Sequence, residues 1–339
     1  MITGHAARPR VALLIPAARQ GQVLAPAALA RLHECAEVIG GSLEAPEIAA
    51  RLPSLLAEAD IALTGWGTPP LAEEALARAT RLRLIAHTAG SVKHLIPPEV
   101  FTRGIVVCHA AEIIADAVAE YTILAMLLGL RRVHEMDRAL KEGISWREAA
   151  YASPRLLAAC TVGLVGMGYV GRKVARLLTA FGPRLLVYDP YLSPADAAAL
   201  GAETVPLDTL FQECEIVSIH APVTPETRHL VGARQIGLLR DGAILINSAR
   251  SWVIDQEALL GALQGGRIWA ALDVFDQEPL PPDSPFRAFP NVFLTPHQAG
   301  HTIDTYQRQG AAMVEEIERF IAGRELRYRI APERFAVMA

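Results

Sequence analysis

The chain has 339 residues, of which 52% are hydrophobic and 20% charged, and its 36 acids against 32 Lys plus Arg leave a formal net charge of −4. Too much apolar content for a disordered chain and no basic excess for a general nucleic-acid binder leave a globular protein, long enough for two domains. Cys35, Cys108, Cys160 and Cys214 stand far apart, with no CxxC or Cys/His ligand spacing, so neither a disulfide framework nor a metal site is expected.

The start, Met1-Ile-Thr-Gly-His5, has no basic stretch followed by an apolar run and does not read as a secretory signal. The first hundred residues alternate between strand patterns (Val11–Ile15, Ile61–Leu63, Leu84–Ala86, Ile105–Val107) and helix patterns (Pro26–Glu34, Ile48–Glu58, Leu71–Thr80). That alternation implies a parallel sheet with helices on both faces. A single long helix is expected from about Ala111 to Leu140. Its apolar stretch Ile113–Leu130 contains Asp116 and Glu120, which argues for a buried helix of a cytoplasmic protein and against a membrane span. Lys141–Pro154 is irregular and reads as a surface arm.

The alternation restarts at Cys160. Apolar runs at Thr161–Val165, Leu185–Tyr188, Ile216–Ile219, Ala243–Ile246, Ile268–Leu272 and Val292–Leu294 fit strands covered on both faces. Helix patterns at Val170–Phe181, Pro194–Leu200 and Gln256–Leu263 lie between them, and another runs from Ile303 to Ala322.

The run Thr161–Val165 leads directly into Gly166-Met-Gly168-Tyr169-Val170-Gly171 and an amphipathic helix. In that setting GxGxxG is a dinucleotide signature. Gly166 permits the tight turn, Gly168 lets a pyrophosphate approach the backbone, and Gly171 lets the helix pack on the sheet. Asp189 follows 18 residues after Gly171, at the end of the next strand, where a carboxylate accepts from ribose hydroxyls. A 2′-phosphate beside it is repelled and Pro190-Tyr191 offers no cation, so NAD is expected rather than NADP. A Rossmann methyltransferase shares part of this pattern but has no use for the residues that come next.

Three polar segments follow predicted strands: Asn247-Ser248-Ala249-Arg250, Asp273-Val-Phe-Asp-Gln-Glu278-Pro279 and Thr295-Pro296-His297. An open α/β sheet places its ligands at that edge. Arginine's planar fork suits a carboxylate. His297 suits proton transfer to a carbonyl oxygen near neutral pH. A glutamate bonded to that histidine orients the ring and favours its charged form.

Together these motifs, with His220-Ala221-Pro222-Val-Thr-Pro-Glu-Thr227, resemble the D-isomer-specific 2-hydroxyacid dehydrogenase family over nearly the whole chain. The resemblance implies two Rossmann-like or flavodoxin-like doubly wound parallel-sheet α/β domains with an active-site cleft between them. The substrate domain would be discontinuous, 1–111 plus 299–339, and the NAD-binding domain would be 112–298. The implied activity is an NAD-dependent oxidoreductase interconverting a D-2-hydroxy acid and its 2-oxo acid, in a homodimer. Arg250 would bind the substrate carboxylate, and Glu278 with His297 would move the proton. Besides the glycine motif and Asp189, the implied cofactor residues are His220, Ala221, Pro222, Thr227, Ser248, Ala249, Asp273 (toward the nicotinamide carboxamide) and Gly300. Backbone N–H groups of Ala89, Gly90 and Ser91 would grip the substrate carboxylate.

This chain departs from the family pattern on the substrate side. Ser251 stands where Gly is common, Ala89-Gly-Ser-Val-Lys-His-Leu-Ile96 replaces a G-x-G loop, and His109 stands where Asn is common. These changes point to an uncommon substrate. Glu278, in place of Gln, disfavours a formate dehydrogenase, and Lys93 is displaced from the lysine of phosphonate-oxidising relatives. Glyoxylate or hydroxypyruvate reduction and phosphoglycerate oxidation stay open, although the latter normally goes with an added regulatory domain, for which the tail after Gly323 leaves no room. The alternative is an NAD-binding co-repressor on the same scaffold, which would carry a docking groove and extended tails. His87 and His109 end predicted strands and are open to lining the pocket or to packing. His5, His33, His134 and His229 sit among polar residues and are expected outside the site. His301 follows His297 by four, with no third ligand to suggest a metal.

Overall fold

The computed structural model describes residues 8–338; the Met1–His5 start lies outside them. In chain order the elements are β1 (Arg10–Leu13), α1 (Ala17–Val23), α2 (Pro26–Cys35), β2 (Glu37–Ile39), α3 (Ala45–Glu58), β3 (Ile61–Thr64), α4 (Glu73–Arg78), β4 (Leu84–His87), α5 (Glu99–Thr102), β5 (Val106–His109) and α6 (Ala111–Arg131). Then come α7 (Val133–Lys141), β6 (Thr161–Val165), α8 (Tyr169–Leu178), β7 (Arg184–Tyr188), α9 (Pro194–Ala198), β8 (Ala202–Thr204), α10 (Leu207–Glu213), β9 (Ile216–Ile219), α11 (Ala233–Leu238), β10 (Ile244–Asn247), α12 (Gln256–Gln264), β11 (Trp269–Leu272), β12 (Val292–Leu294) and α13 (Ile303–Ile321). The chain divides into two units. The first takes the residues up to Ile114 and those from His301 onward, and the second is Ala115–Gly300.

The first unit has a five-stranded sheet in the order β2-β1-β3-β4-β5, every neighbouring pair parallel. This is the flavodoxin-like order, which reverses between β1 and β3. Side chains alternate between two cores. Val11, Leu13, Ile61 and Leu63 pack with Val23, Leu32, Met313 and Ile317 of α1, α2 and α13. Ala12, Ala62 and Ile85 face Ile48, Leu52 and Leu76 of α3 and α4. Burial on both faces is why these strands read as continuous apolar runs.

The second unit has a seven-stranded parallel sheet, β12-β11-β10-β9-β6-β7-β8, reversing between β6 and β9. This is the Rossmann order with one added strand. α6 is apolar and long enough to cross a membrane by length and composition, yet 56% of its most apolar window is buried. Ala119, Ala125, Met126 and Leu130 pack in one core with Val162, Ile244 and Trp269, and Asp116 pairs with Lys173.

The single helix expected over Ala111–Leu140 is two helices. Arg132 takes a left-handed φ of 49° between α6 and α7. No Gly or Pro marks the break, which tertiary contacts hold. The Arg132 guanidinium lies 4.7 Å from the Trp269 ring and 5.7 Å from the Tyr151 ring, and bonds Glu135 at 3.1 Å. Such cation–π contacts, each worth on the order of 1 kcal/mol, offset the left-handed backbone. His134 packs edge-on to Phe293 at 5.2 Å, a more apolar setting than its neighbours in sequence suggest. The 142–156 stretch has neither helix nor strand, and Trp146 in it is 80% exposed.

Candidate active site

In the second unit the glycine turn leaves β6 beside the point where the strand order reverses. Gly166 has a φ of +97°, and a Cβ there would lie 2.7 Å from the Ala221 nitrogen. A Cβ on Gly171 would lie 2.2 Å from the Gly166 carbonyl oxygen, so α8 packs against the turn itself. At Gly168, the N-cap of α8, a Cβ would meet nothing within 4 Å. The middle glycine thus faces open space at the N–H end of a ten-residue helix, which suits a diphosphate. Tyr169 and Val170 form the first turn of that helix, with Tyr169 45% exposed.

Asp189 follows β7. Its Oδ2 accepts from the Met167 N–H at 2.7 Å and its Oδ1 from the Tyr191 N–H at 2.8 Å. The carboxylate therefore shapes the glycine turn, and each oxygen keeps a lone pair for a ribose hydroxyl. His220, after β9, is buried with neither ring nitrogen partnered. Burial pushes its pKa down to about 3, so the ring is neutral. A buried, unpartnered ring beside Ala221 and Gly166 fits a polar ligand in the turn. The Thr227 hydroxyl is engaged internally, donating to the Pro222 carbonyl and accepting from the Thr224 N–H.

After β10, Asn247 organises its own loop. Its amide donates to the Arg250 carbonyl and accepts from the Ala249 N–H. Ser248 is buried beside Thr122. Arg250 donates one bond to the Ala249 carbonyl at 2.7 Å, and its other donors have no acceptor among the described residues. Burial draws its pKa below the usual arginine value while the Glu278 charge raises it. Ser251 takes no positive φ, so a serine there is unstrained.

Asp273, after β11, is fully buried. Its carboxylate accepts from the Thr295 hydroxyl at 2.6 Å, the Gln298 N–H at 2.7 Å and the Ala299 N–H at 2.8 Å. The Thr295 oxygen also meets the Tyr121 hydroxyl at 2.6 Å. Asp273 thus holds the loop after β12 from within, a task its sequence position does not announce. That loop ends at Gly300 and presents His297 at a φ of +54°, a strained backbone for a non-glycine residue. His297 Nδ1 lies 2.7 Å from Glu278 Oε2, while Glu278 Oε1 accepts from the Phe275 N–H at 2.9 Å. The carboxylate is anchored on one oxygen and orients the ring with the other.

In the first unit, Ala89-Gly90-Ser91 follows β4. The Ala110 N–H donates to the Ala89 carbonyl at 3.0 Å and His109 Nδ1 to the Gly90 carbonyl at 2.8 Å. A planar peptide points its N–H opposite its C=O, so the Gly90 and Ser91 N–H groups turn away from β5. The N–H groups of Ala89, Gly90 and Ser91 have no acceptor among the described residues. Adjacent unpaired amides suit an anion. None of the three takes a positive φ, so Ala and Ser fit the loop. His87 is packed away: it is fully buried, with Nδ1 at 2.9 Å from the Thr64 hydroxyl, and burial pushes its pKa down to about 3.

A doubly wound sheet with this glycine turn at its reversal point makes the second unit a dinucleotide-binding α/β domain. The chain belongs to the D-isomer-specific 2-hydroxyacid dehydrogenase family, whose NAD-binding domain matches residues 123–299. It is 37% identical over 266 residues to the glyoxylate reductase of Korarchaeum cryptofilum, covering 77% of this chain and 80% of that one. Against the D-3-phosphoglycerate dehydrogenase of Mycobacterium tuberculosis it is 33% identical over 301 residues, covering 88% of this chain and 56% of that one. The crystal structure of a phosphoglycerate oxidoreductase from Rhizobium etli superposes with a TM-score of 0.79 at 29% identity, covering 96% of this chain and 99% of that one. Family and relatives support NAD-dependent 2-hydroxyacid dehydrogenase activity, with NAD(H) as the cofactor.

Proposed function

We propose that this protein reduces a 2-oxo acid to the D-2-hydroxy acid and runs the reverse oxidation, with Arg250, Glu278 and His297 as its catalytic residues. The observation that carries the reading is the 2.7 Å His297–Glu278 hydrogen bond, together with Arg250, which feels the Glu278 charge. Gly166, Gly168 and Gly171 would hold the pyrophosphate, Asp189 the ribose, and His220, Ala221, Pro222, Ser248 and Ala249 would line the remainder. When bound, NADH supplies a hydride to the substrate's carbonyl carbon. Arg250 takes the substrate carboxylate on its fork. The charged His297 gives its Nε2 proton to the carbonyl oxygen as negative charge builds there. Glu278 keeps Nδ1 as the donor on the other side of the ring and compensates its charge. In oxidation the neutral ring takes the hydroxyl proton back.

We also infer a cytoplasmic homodimer. The exposed Leu140, Ile144, Trp146 and Leu156 support association through the arm after α7, and light scattering tests it. The decisive experiment for the reaction is NADH oxidation by a panel of 2-oxo acids with the wild type and His297→Ala. Turnover that depends on His297 is expected. No turnover with any 2-oxo acid, or turnover indifferent to His297, overturns the assignment.

A further inference from the structure

The loop that presents His297 rests on one residue. The N–H groups of His297, Gln298 and Ala299 all end on Asp273: the first on its backbone carbonyl at 2.9 Å, the second on Oδ1 at 2.7 Å and the third on Oδ2 at 2.8 Å. The left-handed turn at His297 therefore follows the direction of the Asp273 side chain. That carboxylate is fully buried. Its other hydrogen bond among the described residues is the one from the Thr295 hydroxyl at 2.6 Å, so Thr295 sets its aim.

The direction of these bonds extends the series to α6. A carboxylate only accepts, so the single hydrogen of the Thr295 hydroxyl goes to Asp273 Oδ1. The Thr295 oxygen then has to accept from its second neighbour, the Tyr121 hydroxyl, at 2.6 Å. Burial pushes the Tyr121 pKa up to about 12, so the phenol keeps the proton it donates. The Tyr121 ring packs against the core that holds Val162, Ile246 and Ala271. Its hydroxyl is thus delivered by α6 and the sheet, not by the loop it touches. All of these residues lie in the second unit, Ala115–Gly300.

We propose that Tyr121 and Thr295 are positioning residues for the proton transfer: the Tyr121 hydroxyl fixes Thr295, Thr295 fixes the Asp273 carboxylate, and Asp273 holds the backbone from which His297 reaches the substrate oxygen. The inference rests on the reaction proposed above and adds to it two residues that move no proton in it. Glu278 sets the direction and charge of the His297 ring; the Tyr121 relay sets where that ring starts. Placement and charge have separate kinetic signatures. A misplaced acid slows proton transfer at every pH, while a lost carboxylate moves the pH at which the ring is charged.

The test follows NADH oxidation against pH with the fastest 2-oxo acid of the panel. Tyr121→Phe removes the hydroxyl and keeps the ring. It should lower kcat by about tenfold, with NADH affinity and the pH of the basic limb both unchanged. Glu278→Gln, in contrast, should move that limb to lower pH. Thr295→Val should lower kcat at least as far as Tyr121→Phe, and Thr295→Ser should recover most of the rate. Because the two hydroxyls act in series, Tyr121→Phe combined with Thr295→Val should lose no more than Thr295→Val alone, where independent sites would multiply. If Tyr121→Phe does not fold, the two Thr295 variants carry the comparison. Near-normal kcat in both single variants overturns the relay, as does multiplication of their effects, a shifted limb or a parallel loss of NADH affinity. In each of those cases His297→Ala still cuts kcat and the reaction stands. Turnover indifferent to His297→Ala, or absent with every 2-oxo acid while NADH binds, takes the reaction down and the relay with it.

Discussion

His297 combines a left-handed backbone with a short bond to an anchored carboxylate, an arrangement that trades local strain of about 1–3 kcal/mol for a fixed ring direction. Removing the ring should therefore strike chemistry and spare binding. His297→Ala is expected to lower kcat by about 100-fold or more, the usual scale for losing a general acid, while fluorescence titration shows NADH affinity intact. Glu278→Gln keeps an acceptor for Nδ1 and loses the charge, so its kcat should fall between the two. Arg250→Lys keeps a cation and loses the fork; KM for the 2-oxo acid should rise and kcat fall together, and full activity would take Arg250 out of the site. At Asp189 the structure adds a second consequence. NADH should outperform NADPH by more than about tenfold, or about 1.4 kcal/mol, and Asp189→Ala should narrow that gap. The same change strips the Met167 and Tyr191 N–H groups of their acceptor, so NADH affinity should fall too. The positions of Arg250, Glu278 and His297 beyond strand ends were legible because each lies in a polar segment that follows a short apolar run. The grip of Asp273 on Thr295, 22 residues away, and the meeting of Thr295 with Tyr121, 174 residues away, were not. Tyr121 sits in an apolar helix with no motif around it, so only the folded chain reveals its partner.

Among the elements, the β6 turn and α8 separate ligand room from packing. Gly168→Ala adds a methyl to open space and should leave the urea midpoint nearly unchanged while weakening NADH binding. Gly171→Ala forces a Cβ to 2.2 Å from a backbone oxygen and should cost about 1–3 kcal/mol of stability. If the two variants behaved alike, the division of labour drawn for the motif would be wrong. On β11, Trp269 is 1% exposed and carries Arg132 on its face. Trp269→Ala should cost about 3–5 kcal/mol and loosen the α6–α7 corner. That corner was illegible in the sequence: helix-compatible residues run through Arg132, and the break depends on a ring 137 positions downstream. The long buried strands were legible from their apolar runs. β2 and β8 were not, being three-residue edge strands in which Ala202 is the one buried side chain.

For the whole molecule, each unit buries one histidine that burial holds near a pKa of about 3, His87 in the first and His220 in the second. Unfolded, each titrates near 6.5. Above pH 6.5 both states are neutral and stability is unaffected. Below it the unfolded chain takes up protons the native one refuses, so stability falls as pH drops from about 6.5 toward 3, by on the order of 1 kcal/mol per pH unit for each ring. Urea midpoints between pH 7 and 4.5 should show this slope, and His87→Gln and His220→Gln should each flatten it; a slope unchanged in both would place the acid sensitivity elsewhere. The βα alternation made two doubly wound sheets legible, whereas the neutrality of two rings depends on burial that no local pattern encodes. The discontinuity of the first unit also bears on synthesis. Met313, Val314 and Ile317 of α13 close the core around Val11, Leu13, Ile61 and Leu63, and they leave the ribosome after the entire second unit has been made. At about 5–20 residues per second, the partner strands wait roughly 12–50 s for their last helix. The second unit is thus free to fold first, reversing the usual N-to-C order. Released chains truncated near residue 300 should resist protease across Ala115–Gly300 while their N-terminal segment is still cleaved.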